Sequence, residues 1–276
     1  MAKKKRAPKK ASANEQAGAE SSGGADDLEA QLFDIVMRHL DRLKAYIPGP
    51  VKKAGGTKEH LIQRYAADPL YSIFGLDSPE YVSATLGGGT VTSIHRKLGD
   101  IYEDCLKNVF HRRLGISFEQ LTYSAQIMSG TTRQARTADA YIQFDQVRDT
   151  RQRKAIEGYC DGELRKLTED PKIELIGVGM EVRHCYQTGD SKRTQADEAM
   201  ARHFFVSGVL PVMPLFCNQS NPSIIQRYRS VWVIKQGDES YDMVRQLSGF
   251  DLYEFMRRHR EEFRRPVIEM LRGLTA

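Results

Sequence analysis

No stretch of this chain approaches the roughly 20 consecutive apolar residues that a membrane-spanning helix requires, and no charged-then-apolar leader with a small-residue cleavage site opens it. A soluble chain that does not use the Sec route is the expectation, and a reducing cytoplasm fits best. The four cysteines, Cys105, Cys160, Cys185 and Cys217, stand far apart with no Cys-x-x-Cys pair. That spacing argues against a zinc ribbon, a thioredoxin motif and a disulfide framework. A large excess of one charge is also missing. There are 41 Lys and Arg against 36 Asp and Glu, and six of the positive charges crowd into residues 1–10, MAKKKRAPKK, so the remaining body is balanced. A balanced body does not by itself argue for nucleic acid. The basic tail fits equally a contact with DNA, RNA or an acidic surface and a disordered solubilising leader.

Enough apolar residues, 40% of the chain, are present for a sizeable core. Residues 1–26 offer almost nothing to bury and read as disordered. From Asp27, the residues Leu28, Leu32, Ile35, Val36, Leu40, Leu43 and Ile47 recur at helical spacing up to Pro48-Gly49-Pro50. A shorter helix is expected over 57–67, and a third starts at Ser78-Pro79-Glu80, a cap followed by a first-turn proline. Leu86-Gly87-Gly88-Gly89 reads as a flexible hinge before a helix over 93–114, and no Gly-Lys-Ser/Thr follows to make it a phosphate loop. Downstream the period shifts towards two. Strands are expected at 138–144, 172–183, 210–217 and 230–234, helices at 150–168 and 191–206, and one or two terminal helices over 252–274. This order predicts an α/β fold, a mixed central sheet flanked by helices. One domain spans 27–276, with a helical subregion at 27–91, a core at 92–256 and a C-terminal helix at 257–276.

The chemistry concentrates on two of the strands. In IELIGVGMEVRH, alternation sends Ile173, Leu175, Gly177, Gly179, Glu181 and Arg183 to one face and Glu174, Ile176, Val178, Met180 and Val182 to the other. A carboxylate and a guanidinium thus end an otherwise apolar strand, where burial is expensive without compensation. Gly177 and Gly179 leave room above that face for something to approach. In RTADAYIQF, Asp139 sits at the start of its strand. If the two strands pair, Asp139 and Glu181 converge on one hard divalent cation, for which two carboxylates and a backbone carbonyl suffice. Such a cation polarises a phosphodiester while a nearby basic group stabilises the charge on phosphorus. Taken singly, Glu181 with Arg183 also fits an ion pair at a sheet edge, and Asp139 a strand-entry turn residue.

Asp139 followed by a strand ending Glu181-Val182-Arg183 resembles the PD-(D/E)xK nucleases, and within them the type II restriction endonucleases. RKLGDIYEDCLKNVF is similar to the first core helix of that family, with Glu103 the matching acid. GDSKRTQADEAMARHF resembles the helix after the catalytic strand, LPVMPLF the strand that follows, and LSGFDLYEFM a segment near restriction-enzyme C-termini. Ala138 stands where the family usually has Pro, and Arg183 occupies the Lys position. Arg stays protonated and cannot shuttle a proton.

The resemblance implies a restriction-endonuclease-like core and a Mg2+-dependent, sequence-specific double-stranded DNA endonuclease leaving 5′-phosphate and 3′-hydroxyl ends. It implies Asp139, Glu181 and Arg183 or Lys192 as catalytic residues, and Asp139, Glu181 and Glu103 as metal ligands, with Glu198 a minor candidate. It also implies a homodimer on palindromic DNA and a cognate DNA methyltransferase as functional partner. Gln187, Ser191, Lys192, Arg193 and Gln195 are the candidates for DNA contact, since Arg and Lys suit guanine, Gln suits adenine and Ser holds phosphate. The stretch 148–154, RDTRQRK, fits either a backbone-tracking or a solvated helical face. A repair or recombination nuclease of the same fold and a non-catalytic DNA-binding protein are the rival readings.

Overall fold

The structure, a computed structural model, describes residues 16–44, 57–73, 75–129, 132–168, 173–186 and 191–275. Helix α1 (Gln16–Lys44) begins ahead of the expected Asp27, even though Gly18, Gly23 and Gly24 lower the helix propensity of that first stretch. The expected stop at Pro48-Gly49-Pro50 and the tail at 1–15 lie outside the described residues. Leu28, Leu32, Ile35, Val36, Leu40 and Leu43 of α1 are buried. After α2 (Lys58–Ala66) and the short α3 (Pro69–Ile73) comes α4 (Pro79–Leu114), which Ser78 caps by accepting from Tyr81 N and which ends at Gly115 with φ 70°.

The expected hinge at Gly87-Gly88-Gly89 is absent, for α4 runs through it without a break. Val82 and Leu86 pack with Leu61 of α2, and Thr90 and Ser93 continue the buried face. Tertiary burial on one side thus outweighs the roughly 1 kcal/mol that each mid-helix glycine costs relative to alanine.

Beyond α4 the chain forms an antiparallel ribbon, β1 (Tyr123–Ser129) and β2 (Thr132–Ala138), where only the end of one strand was expected. It then builds a four-stranded mixed sheet of β3 (Ala140–Gln143), β4 (Gly177–Met180), β5 (Val209–Leu215) and β6 (Val233–Gln236) in that order. β3 pairs antiparallel with β4, while β4–β5 and β5–β6 are parallel. Helix α5 (Thr150–Leu167), capped by Asp149, leads from β3 towards β4, and α6 (Ser191–Val206) makes the β4–β5 crossover. Helices α7 (Pro222–Tyr228), α8 (Asp238–Ser248), α9 (Leu252–Arg258) and α10 (Arg260–Thr275) complete the described chain. α7 and α8 lie where no element was expected, and the terminal segment is two helices.

The architecture is therefore mixed α/β, a central sheet between two layers. On one face Ala140, Ile142, Val178, Met180, Val182 and Val212 join a core with α1, α4, α5, α8 and α9. On the other, Tyr141, Val209, Met213 and Leu215 pack with α6, α7 and the ribbon. The alternation read over 173–183 holds from Gly177 onward but not before it, since β4 starts at Gly177, Ile176 is exposed and Leu175 packs on the same core as Val178 and Met180. The room above Gly177 and Gly179 is already filled. A Cβ on Gly179 would stand closer than 3.0 Å to the Phe204 ring of α6, and one on Gly177 would meet the Ile142 carbonyl. What approaches that face is the protein's own helix.

The cysteines too depart from expectation. Cys185 and Cys217 form a disulfide with Cα atoms 5.5 Å apart. The chain beyond β4 rejoins β5 through a parallel bridge between Arg183 and Leu215, so residues two further along each segment become neighbours although 32 positions separate them. Spacing along the sequence carries no trace of that register. Cys105 and Cys160 are free and buried. Among the described residues no helix is long and apolar enough to cross a membrane.

Candidate functional site

Asp139 occupies a bend between β2 and β3, where its N–H donates to Met180 O at 3.0 Å. The pairing of Ala140 with Met180 sets Asp139 opposite Glu181 across the antiparallel ladder. On its far side the segment 181–183 is fixed by β5. Glu181 N donates to Val212 O at 3.1 Å, and Arg183 N to Pro214 O at 3.0 Å. The two carboxylates are thus held by backbone hydrogen bonds.

Between them lies the Arg183 guanidinium. Its Nη1 donates to Asp139 Oδ2 and to Val182 O, each at 2.8 Å, and its Nη2 donates to Glu181 Oε2 at 2.5 Å. Asp139 Oδ2 also accepts from Val182 N at 2.8 Å. One planar cation therefore bridges two carboxylates and a backbone carbonyl, the same types of oxygen that suit a hard divalent ion. Arg183 Nε is buried with no hydrogen-bond partner.

A third carboxylate, not anticipated from the sequence, closes the cluster. Asp197 on α6 is buried, its Oδ1 is 3.8 Å from Arg183 Nη2, and its Oδ2 accepts from the Tyr186 and Tyr228 hydroxyls. Three acidic groups thus face one guanidinium. The imbalance appears in their protonation. Burial above all pushes the Glu181 carboxyl up to about 8, Asp139 and Asp197 push in the same direction, and Arg183 opposes them. Burial also works against the Arg183 charge, but Glu181 and Asp139 outweigh it and hold the guanidinium well above its ordinary value.

Glu103, on α4, bonds Lys107 Nζ at 2.6 Å. Its carboxyl is raised by burial and then by the charge of Asp139, so it stands within electrostatic reach of the cluster without touching Arg183. Glu198, the neighbour of Asp197, turns instead to Arg227, at 3.0 Å. Among the described residues no group of three or more His, Cys, Asp or Glu side chains forms a ready-made metal cage.

Of the residues read as DNA contacts, Gln187 lies outside the described residues, as do the side chains of Ser191 and Lys192 at the start of α6. Arg193 is exposed, its guanidinium carbon 5.8 Å from the centre of the Tyr186 ring, and Gln195 is exposed on the same helix. In 148–154, Arg153 is spent on the carbonyls of Val147 and Asp145. The tyrosines that hold Asp197 lie 11 residues before it, in the segment after β4, and 31 residues after it, on α7, and the folded chain brings them together. Comparison with protein-family models, curated proteins and solved structures finds no match to this chain.

Proposed function

We propose that this protein is a Mg2+-dependent, sequence-specific endonuclease of double-stranded DNA, of the PD-(D/E)xK restriction type, leaving 5′-phosphate and 3′-hydroxyl ends. One observation carries the reading: Asp139, Glu181 and Asp197 converge on a single guanidinium at the sheet end. Two buried carboxylates, Glu181 and Asp197, and the partly buried Asp139 outnumber the one cation between them, an imbalance that a divalent ion would offset. Asp139 Oδ2, Glu181 Oε2 and the Val182 carbonyl are the oxygens that would hold it, and their hard-donor chemistry fits magnesium. Bound there, magnesium supplies Lewis-acid polarisation of the phosphodiester.

The chain's own residues do the rest. Arg183, hydrogen-bonded to all three oxygens, would have to yield them to a bound ion; being permanently charged, it suits stabilising negative charge on phosphorus but takes no proton. Glu181, its carboxyl raised to about 8 chiefly by burial, holds a proton near neutrality and would release it beside a bound cation. Arg193 and Gln195 face outward from the helix beside the cluster, in position for phosphate and base edges. With this reading go a homodimer on palindromic DNA and a cognate methyltransferase.

The grip of Arg183 on Asp139 Oδ2, Glu181 Oε2 and the Val182 carbonyl favours one second reading, a non-catalytic DNA-binding protein in which the guanidinium has replaced the ion. Incubating the full chain with a plasmid of known sequence in Mg2+ and in EDTA separates the two. Defined fragments in Mg2+ alone, lost in Asp139→Asn and Glu181→Gln while both still shift DNA in a gel, are the expected result. Nicks or cutting at branched structures would point to a repair nuclease. Equal shifts in EDTA and Mg2+ with no cutting would establish the binding protein, and cutting at wild-type rate by either carboxylate variant would remove the site.

A further inference from the structure

The β1–β2 ribbon stands outside the four-stranded sheet, and its two faces are unalike. Tyr123, Ile127 and Ala138 turn inward. Ile127 and Ala138 are buried in one apolar cluster with Ala201 and Phe204 of α6, and Tyr123 Oη lies 2.8 Å from His203 Nε2. The opposite face is exposed: Ser124, Gln126, Met128, Arg133 and Thr137. Neither strand carries an acidic residue, whereas β2 carries Arg133 and Arg136.

Alongside, α6 exposes Arg193, Gln195 and Arg202. A groove of about 640 Å³ separates ribbon and helix, lined among others by Gln126, Met128, Gln195 and Arg202. The acid on its wall, Glu198, is already ion-paired with Arg227. The groove itself is largely apolar, through Ile127, Met128, Ala199 and Val206, and is bordered by the exposed Arg133, Arg193 and Arg202 and the amides of Gln126 and Gln195. The ribbon also runs straight into Asp139.

We infer that this ribbon enters the major groove of double-stranded DNA and selects the cleavage site, with α6 tracking the phosphates beside it. A two-stranded ribbon fits the groove, and the residues offered suit base edges: Arg133 guanine O6/N7, Gln126 adenine N6/N7, and Met128 the thymine methyl. Arg202 and Arg193 suit phosphate, which positions without specifying. Arg133 precedes Asp139 by six residues, roughly 20 Å of extended chain. That is about six base-pair steps at a rise of about 3.4 Å, so reading occurs a short way along the duplex from cutting. The inference rests on the duplex-nuclease reading and adds to it the element that recognises sequence.

The test uses the full chain, plasmid-derived duplex fragments in the presence of poly(dI-dC), and three variants. Gln126→Ala with Arg133→Ala is expected to weaken binding to the preferred fragment at least tenfold while changing poly(dI-dC) binding less than threefold. Arg133→Lys, which keeps the charge and loses the two-pronged geometry, is expected to lose selection in the same way, and guards against a fold defect in the double variant. Arg202→Ala is expected to weaken all duplexes alike and lower the salt slope by about one. Ribbon variants that melt and select like wild type would overturn the inference while leaving the nuclease standing. Wild-type protein that binds no duplex would overturn both.

Discussion

Glu181 is the group in the cluster that departs furthest from ordinary carboxylate behaviour, and its protonation makes the site measurable without any DNA. Its carboxyl is raised from 4.5 to about 8, chiefly by burial. Between those values the folded protein keeps a proton that the unfolded chain has released, so stability falls as pH rises through the window. At about 1.4 kcal/mol for each pH unit, the loss is on the order of 5 kcal/mol, a large share of the roughly 5–15 kcal/mol that holds a domain together. Glu181→Gln keeps the shape and an acceptor for Arg183 but cannot ionise. Urea unfolding of wild type and variant in EDTA, followed by circular dichroism at pH 5, 7 and 9, should show the variant gaining on wild type at each step and exceeding it at pH 9. Magnesium should narrow that gap by favouring the ionised wild-type carboxylate. Parallel curves for the two proteins would refute the argument, because they would mean that the Glu181 charge is not confined among its neighbours.

Two further outcomes test the frame around the site. Gly179→Ala places a methyl into the Phe204 ring, and such overpacking should lower stability by about 1 to 3 kcal/mol in the same unfolding assay; an unchanged midpoint would mean that α6 does not seat on β4. Reducing the Cys185–Cys217 disulfide releases a loop spanning 32 residues, which should lower stability by about 3 to 4 kcal/mol in the chain-entropy estimate. Cys185→Ser with Cys217→Ser should match the reduced wild type and no longer respond to reductant.

Much of the framework was legible because burial and periodicity coincide. The apolar stripe of α1, the second half of α4, and the helices α5 and α6 repeat at a period that only a helix can bury, and the continuous apolar run of β5 suits a strand covered on both faces. The ribbon was missed because its strands are mostly small and polar, with one covered face supplied by residues as modest as Ala138. Gly87–Gly89 has the local propensity of a hinge, and the neighbour that keeps the helix intact, Leu61, is not visible from that stretch of sequence.

For the site, alternation along 173–183 already put Glu181 and Arg183 on one face, and Asp139 at a strand start was visible as a partner. Those relations follow from the fixed two-residue period of a strand, which needs no knowledge of the rest of the fold. The tertiary structure alone decided that Asp139 lies opposite Glu181, that Asp197 and two tyrosines close the cluster, that Cys185 meets Cys217, and that Phe204 fills the space over Gly179. Each depends on strand register or on the angle at which α6 crosses the sheet. Such geometry arises from contacts between segments far apart in the chain, where no local pattern records the distance.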